Sequence, residues 1–418
     1  MPEARRRFTR LAAAGALFQG GAAAVDSGTI IAALVHGLTG SALAVGAASA
    51  ILRYGWLFPQ LFVAYFAQRS TRSMPFYIVG AFGRATCLAA LAGLLAVAGK
   101  LPLALVVALF FGLWTTYAFV SGIVAVPYND IVARAVPSAR RSRLLAIRFF
   151  GGGLLALGVA AAAHRLLNAL AFPSGYAVLV ALGAALLYAS SLSFVAAGEP
   201  AAPSRKHPAD GFIDFLRQGR AVFREDERFR LFVYGQWLGG AVMMALPFYI
   251  LQAKVLRGEA LEVGILLGAQ TAGALLSNAL WGWWGDHFGK RSLLEGVALL
   301  RALPPLLTLV WVPAAVSGDL PALAGFAVVF FLLGAFGNGI TIAMLGYLME
   351  ISPDDRRPAY SGYFNALVAP AALLPLAGAV IVEAWSLADL FLVSLGAAVL
   401  QFLTIRRLRG LSAGSETP

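Results

Sequence analysis

Gly282-Trp283-Trp284-Gly285-Asp286-His287-Phe288-Gly289-Lys290-Arg291 is a short polar passage between two long apolar runs. Working outward from it, an altered copy lies earlier in the chain, Val63-Ala64-Tyr65-Phe66-Ala67-Gln68-Arg69-Ser70-Thr71-Arg72, again between apolar runs. Pairing Arg72 with Lys290 gives an offset of 290 − 72 = 218, about half of the 418 residues. A second pair, Pro137-Ser138-Ala139-Arg140-Arg141 and Pro353-Asp354-Asp355-Arg356-Arg357, repeats at 353 − 137 = 216. Two matches at nearly one offset divide the chain into two related halves.

The apolar runs decide the fold class. With 60% hydrophobic residues, 12% charged and a mean hydropathy of +0.79, the chain lies far from soluble domains, in which roughly a quarter of residues are charged. Twelve runs are expected to cross about 30 Å of hydrocarbon as helices: 9–35, 41–66, 74–98, 101–129, 143–168, 173–196, 230–253, 260–284, 292–313, 320–349, 358–383 and 387–405. Backbone groups in lipid must pair within the chain, and these runs lack the alternation of a β-barrel, so the expected fold is an all-α membrane protein. Its expected parts are an N-terminal six-helix bundle over 1–196, a linker over 197–229 and a C-terminal bundle with a short tail over 230–418. Within the linker, Phe212, Phe215, Leu216, Val222 and Phe223 recur at helical spacing among Asp214, Arg217, Arg220 and Arg224. That pattern is either an interfacial helix on the inner leaflet or a simple tether.

A net charge of +12 could signal nucleic acid, but the basic residues are distributed otherwise. An even number of spans puts both termini on one side. With the linker, that side takes 25 of the 32 Lys and Arg, the opposite side four, and three fall inside spans. The positive-inside rule then makes both termini cytoplasmic, and no nucleic-acid partner is needed. Cys87 stands alone inside a span, which excludes a disulfide framework. His36, His164, His207 and His287 have no metal-ligand spacing, and no phosphate-cradling P-loop occurs, so neither cofactor nor enzymatic chemistry is expected.

Gly282, Asp286, Gly289, Lys290 and Arg291 match the G-x-x-x-D-x-x-G-[KR]-[KR] loop of the major facilitator superfamily, which the chain resembles also in span count, central linker and repeat. The resemblance implies a transporter with a cavity near the bilayer midplane, opened alternately to each side, and the chain is expected to work as a monomer. It also implies a cytoplasmic gate in which Asp286 caps a helix N-terminus and Lys290 or Arg291 pairs with a carboxylate such as Glu350. In the first copy Gln68 replaces the acidic residue and Ser70 the late glycine, so the gate is expected to be asymmetric. The fifth span carries Gly151-Gly152-Gly153 and Gly158 but lacks the G-P pair of many drug exporters of this family.

Asp26, Arg53, Arg84 and Arg301 fall about mid-span, where an ionisable group costs at least about 3 kcal/mol and must face a partner or a wet cavity. Asp26 is either the carrier of a coupling proton or the permanent partner of Arg84 or Arg53. Three buried cations against one anion leave positive charge over, and arginine forks suit carboxylate or phosphate. Gln19, Tyr117, Gln236, Trp237 and Asn338 complete the candidate substrate set, lying on the spans that line the pathway in the resembled family. The expected function is secondary transport of a small organic solute, preferably an anion, coupled to protons. An exporter of amphipathic or drug-like compounds is the alternative, and a non-transporting receptor a more distant one. The 28 Arg to 4 Lys, with abundant Ala and Gly, point to a GC-rich bacterial genome and so to a bacterial inner membrane.

Overall fold

A computed structural model describes residues 2–69, 72–200, 211–257, 262–316, 322–352 and 357–408, and all of its regular structure is helical. Seventeen α-helices are described. They are α1 Pro2–Ala23, α2 Ile30–Thr39, α3 Ala42–Arg69, α4 Met74–Ala96, α5 Leu103–Ala135, α6 Ser138–Ala169, α7 Ser174–Ala197, α8 Phe212–Glu225 and α9 Glu227–Met243. They continue as α10 Tyr249–Arg257, α11 Val263–His287, α12 Gly289–Leu300, α13 Leu303–Val316, α14 Ala322–Ile351, α15 Arg357–Val368, α16 Leu374–Ala384 and α17 Leu387–Arg406. Among the described residues, eleven helical stretches are long and apolar enough to cross a membrane. The first expected span, 9–35, is not one rod. It is delivered as α1 and α2 with an irregular passage between them.

That passage runs through Val25-Asp26-Ser27-Gly28-Thr29, whose short polar side chains compete with helical hydrogen bonding. Asp26 supplies the bonds the broken backbone loses. Its Oδ1 accepts from the Gly28 amide at 2.9 Å, the Thr29 amide at 3.0 Å and the Thr29 hydroxyl at 2.9 Å. In the second half, proline makes the breaks. Pro247 sits in a 3₁₀ turn between α9 and α10, Pro304 and Pro305 follow the end of α12, and Pro370 sits in a 3₁₀ turn between α15 and α16. Proline removes an amide and crowds the preceding turn, so each forces a local departure from the α-helix.

Contacts divide the described chain into two compact units, one of 1–209 with 262–271, the other of 210–261 with 272–418. In the first unit α1 packs on α6 and α7, α4 on α5 and α7, and α3 on α5. The α3–α5 contact is backbone against backbone. A methyl added to Gly122 would stand 2.6 Å from the Gly55 carbonyl oxygen and 2.7 Å from that of Trp56. Small residues permit such approach where no hydrophobic effect drives helices together. In the second unit α9 packs on α17, and α12 on α14 and α17.

The linker pattern over 212–225 forms α8, which packs on α9 and α15 with Gly219 against the Tyr363 ring. Ile213, Arg217, Arg220 and Arg224 on it are exposed, while the side chains of Phe212, Phe215 and Leu216 lie outside the described residues. Asp226 then starts α9: its Oδ1 accepts from the Phe229 amide at 2.9 Å and its Oδ2 from the Tyr360 hydroxyl at 3.2 Å.

Candidate functional site

Arg84 projects from the middle of α4 and is 5% exposed. Its guanidinium lies over the Phe18 ring, 4.5 Å from the centroid, and its Nε is buried without a hydrogen-bond partner. Arg148 of α6 reaches the same ring at 6.0 Å, lies over Tyr128 at 5.1 Å and donates from Nη1 to the Tyr128 hydroxyl at 3.0 Å. Its Nε is also buried and unpartnered, as is the Ser121 hydroxyl beside it. Around these groups is a cavity of about 180 Å³, with Phe18, Trp56, Tyr77 and Tyr128 in its walls. No carboxylate lines it, and neither arginine has an acidic partner within ion-pair distance among the described residues. Two cations in an aromatic enclosure thus carry unpartnered N–H groups, the donor type that pairs with carboxylate or phosphate.

Arg301, 4% exposed, is arranged differently. Nη1 donates to Gln401 Oε1 at 3.0 Å and Nη2 to the Gly239 carbonyl at 2.9 Å, while Gln401 Nε2 donates to the Gly235 carbonyl at 3.1 Å. These bonds tie the end of α12 to α9 and α17. Asp26 is bound into its helix break rather than into an ion pair with Arg84. Arg53 is close enough for its charge to act on Asp26, but they form no ion pair within 4 Å.

The remaining candidates scatter. Gln19 lies against Gly152 where α1 meets α6. Tyr117 is buried and stacks on Trp114 at 5.1 Å. Gln236 is buried with an unpartnered Nε2, and Trp237 donates its indole N–H to the Leu367 carbonyl at 3.0 Å. Asn338 donates to the Ala274 carbonyl at 3.0 Å and to Asn278 Oδ1 at 3.2 Å, which holds α14 to α11. Of the original substrate candidates, only Arg84 lines the arginine cavity. Arg148, which the charge pattern assigns to the basic side, is the residue sequence reasoning missed. Its signal was position, since it falls five residues inside the span that begins near 143.

The Gly282–Arg291 motif joins α11 to α12. Gly289 has φ +83°, a backbone that side-chain-bearing residues rarely adopt, which explains the late glycine of the motif. Lys290 lays its stem across Gly346 of α14, passes Gly285 and bonds Asp286 Oδ1 at 2.9 Å. Asp286 thus receives an ammonium instead of capping a helix N-terminus, and Lys290 pairs with Asp286 instead of Glu350, which is exposed. Arg291 Nε lies 3.8 Å from Glu295 Oε1. Gly282 has no neighbour that a methyl would meet, so packing does not explain it.

Gln68, Ser70 and Thr71 of the first copy lie outside the residues described in side-chain detail, as do 353–356 of the second repeat pair. Beside the first copy the structure builds a cluster that sequence reasoning did not foresee. Glu199, just past α7, accepts from the Ser73 amide at 2.7 Å, the Met74 amide at 3.0 Å and the Arg134 guanidinium. Arg134 also pairs with Asp130 at 2.6 Å and donates to the Pro200 carbonyl at 2.7 Å, and Ser73 donates its hydroxyl to Asp130. Burial pushes the Glu199 carboxyl up, but Arg134 and the two amides outweigh it and hold the group below its usual range. The i,i+4 pair Asp130 and Arg134 was visible in the sequence; its partner 65 residues away was not.

Fold and composition define the class as a helical membrane protein with the architecture of the major facilitators. Residues 245–415 match the family model for the Major Facilitator Superfamily. Over the whole length the fold is that of solved transporters of this architecture. The nucleoside transporter NupG aligns with TM-score 0.74 and 12% identity, covering 96% of this chain and 99% of that one. A POT family peptide transporter aligns with 0.72 and 11% over 99% and 98%, and a bacterial homologue of the iron transporter ferroportin with 0.65 and 15% over 97% and 99%. Uncharacterized proteins of Mycobacterium tuberculosis and Mycobacterium bovis are each 26% identical over 253 residues, 60% of this chain and 48% of theirs. The chain thus matches about half the length of these relatives. Over residues 245–415 the chain is thus similar to the Major Facilitator Superfamily, and its fold is that of these transporters.

Proposed function

We propose that this chain is a secondary transporter, with no enzymatic reaction, that moves a small organic anion by alternating access and binds it at Arg84 and Arg148. The observation that carries the reading is the pair of guanidiniums whose Nε atoms are buried and unpartnered, with no carboxylate around them among the described residues. A buried cation without a counter-charge costs several kcal/mol, and a bound anion removes that cost. The test is uptake of labelled organic acids into proteoliposomes by the wild type and by Arg84→Gln. Saturable uptake in the wild type that the variant loses supports the reading. Equal uptake by both, or transport of cationic solutes only, overturns it. The aromatic walls favour a second reading, export of amphipathic compounds, which predicts dye transport insensitive to Arg84→Gln.

The coupling ion in this proposal is a proton carried by Asp26. Its three hydrogen bonds all fall on Oδ1, so Oδ2 can take a proton while the helix break stays capped. Asp26→Asn keeps the Oδ1 acceptor and removes the titration. The expected outcome is loss of pH-driven uptake with counterflow preserved, and unchanged pH-driven uptake would remove Asp26 from the coupling role. The basic residues, concentrated on one side by sequence, support cytoplasmic termini in a bacterial inner membrane. On that side the Lys290–Asp286 pair is the preserved copy of the gate motif, and the first copy departs from it at Gln68 and Ser70. The transporter works as a monomer, with the lipid bilayer and the proton as its only partners beside the solute.

A further inference from the structure

The anion reading leaves the rest of the solute open, and the walls of the arginine cavity narrow it. About 180 Å³ is small for a ligand site, since drug-sized ligands occupy roughly 300 Å³ or more. It is close to the roughly 150 Å³ cavity that admits a benzene molecule. Polarity in it is concentrated at the Arg84 and Arg148 guanidiniums and at Ser121 and Asn129. Ser190 also borders it, but its hydroxyl is spent on the Ala14 carbonyl at 2.7 Å. The rest of the wall is largely ring: Phe18 beneath both cations, Tyr128 beneath Arg148, with Tyr77 and the half-exposed Trp56 completing it.

Three classes of anion fit poorly. An amino acid brings an ammonium, and among the described residues no acidic side chain lines the cavity to receive it. A bare phosphate or sulfate would satisfy the guanidiniums and leave the ring walls against water. A flexible aliphatic acid would fill the space without the flat contact that ring faces reward. From this we infer that the solute is a single-ring aromatic carboxylate. Its carboxylate bridges the two guanidiniums, and its ring lies against Trp56 and Tyr128. The inference rests on the anion reading above and adds the ring to it.

The test uses purified full-length protein and titration calorimetry with benzoate, its saturated counterpart cyclohexanecarboxylate, its neutral counterpart benzamide, phenylalanine and inorganic phosphate. Benzoate is expected to bind about tenfold more tightly than cyclohexanecarboxylate, the scale of one good aromatic contact, with benzamide, phenylalanine and phosphate weaker still. Trp56→Leu is expected to erase the preference for benzoate over cyclohexanecarboxylate. Arg84→Gln and, independently, Arg148→Gln should weaken both acids, so that misfolding of one variant leaves the other to report. If cyclohexanecarboxylate, phenylalanine or phosphate binds as tightly as benzoate and the arginine variants weaken it, the ring is refuted and the anion reading stands. If benzamide matches benzoate, or neither arginine variant weakens benzoate, both fall. Failure of benzoate to bind at millimolar concentration also refutes the ring, and binding of the other anions then decides the broader reading.

Discussion

Arg84 and Arg301 are 301 − 84 = 217 residues apart, the spacing of the internal repeat, and both are almost fully buried. Their surroundings diverge. In the first unit α4 runs unbroken past Arg84, and the guanidinium rests on the Phe18 ring. In the second unit the corresponding helix ends at Arg301 ahead of Pro304 and Pro305, and the guanidinium is taken up by Gln401 and the Gly239 carbonyl. The two equivalent positions thus differ: where prolines interrupt the helix the arginine holds three helices together, and where the helix is intact its Nε has no hydrogen-bond partner.

The sharpest way to break this comparison is to remove both charges. Arg301→Met loses two charge-assisted bonds and strands Gln401, so it should destabilise the protein by about 3–5 kcal/mol, read as a fall in melting temperature of the purified protein. Arg84→Met should change it by less than about 1 kcal/mol, since it removes an uncompensated buried charge. Equal losses would erase the distinction. On the ligand side the order reverses: Arg84→Gln should weaken benzoate about 30-fold, roughly 2 kcal/mol. Arg148→Lys, which keeps the charge and loses the fork, should weaken it about tenfold.

A smaller contrast separates the basic ends of the two units. Glu199 is mostly enclosed and accepts from two amides and Arg134, whereas Asp286 is exposed and holds only Lys290. Because the folded Glu199 carboxyl lies below its ordinary 4.5, the unfolded chain binds that proton first. The stabilisation is therefore full above that value and is lost as pH falls through the folded one. Glu199→Gln should lower stability at pH 7 by about 1–2 kcal/mol and remove part of the acid sensitivity below pH 4.5 in melts taken across pH. Asp286→Asn should leave the melting temperature unchanged. Smallest of all, Gly289→Ala should cost about 1 kcal/mol for placing a Cβ at φ +83°.

The sequence carried the fold because span length, charge asymmetry and the 216–218 offset are all one-dimensional signals. It marked Gly289 and Lys290 as part of the polar passage between two spans, but not the partner of Lys290. Local spacing favours Asp286 four residues back, while the resemblance pointed to Glu350 on another helix. The first span was misread as continuous because its apolar content is continuous. What breaks it is the hydrogen-bonding reach of Asp26 and Thr29, which hydropathy does not weigh. Of the three mid-span arginines, counting along the chain gave burial alone. Whether each met a ring, a carbonyl or a carboxylate depended on neighbours up to 100 residues away.

The backbone contact between Gly55 and Gly122 has a mechanical consequence. Two rods touching at carbonyl oxygens have no intervening side chains to act as rollers, so α3 and α5 cannot slide or roll past one another without collision. They form a single strut. Any displacement of either helix is transmitted whole to the other, and spin labels placed one on each should keep their separation while distances elsewhere change.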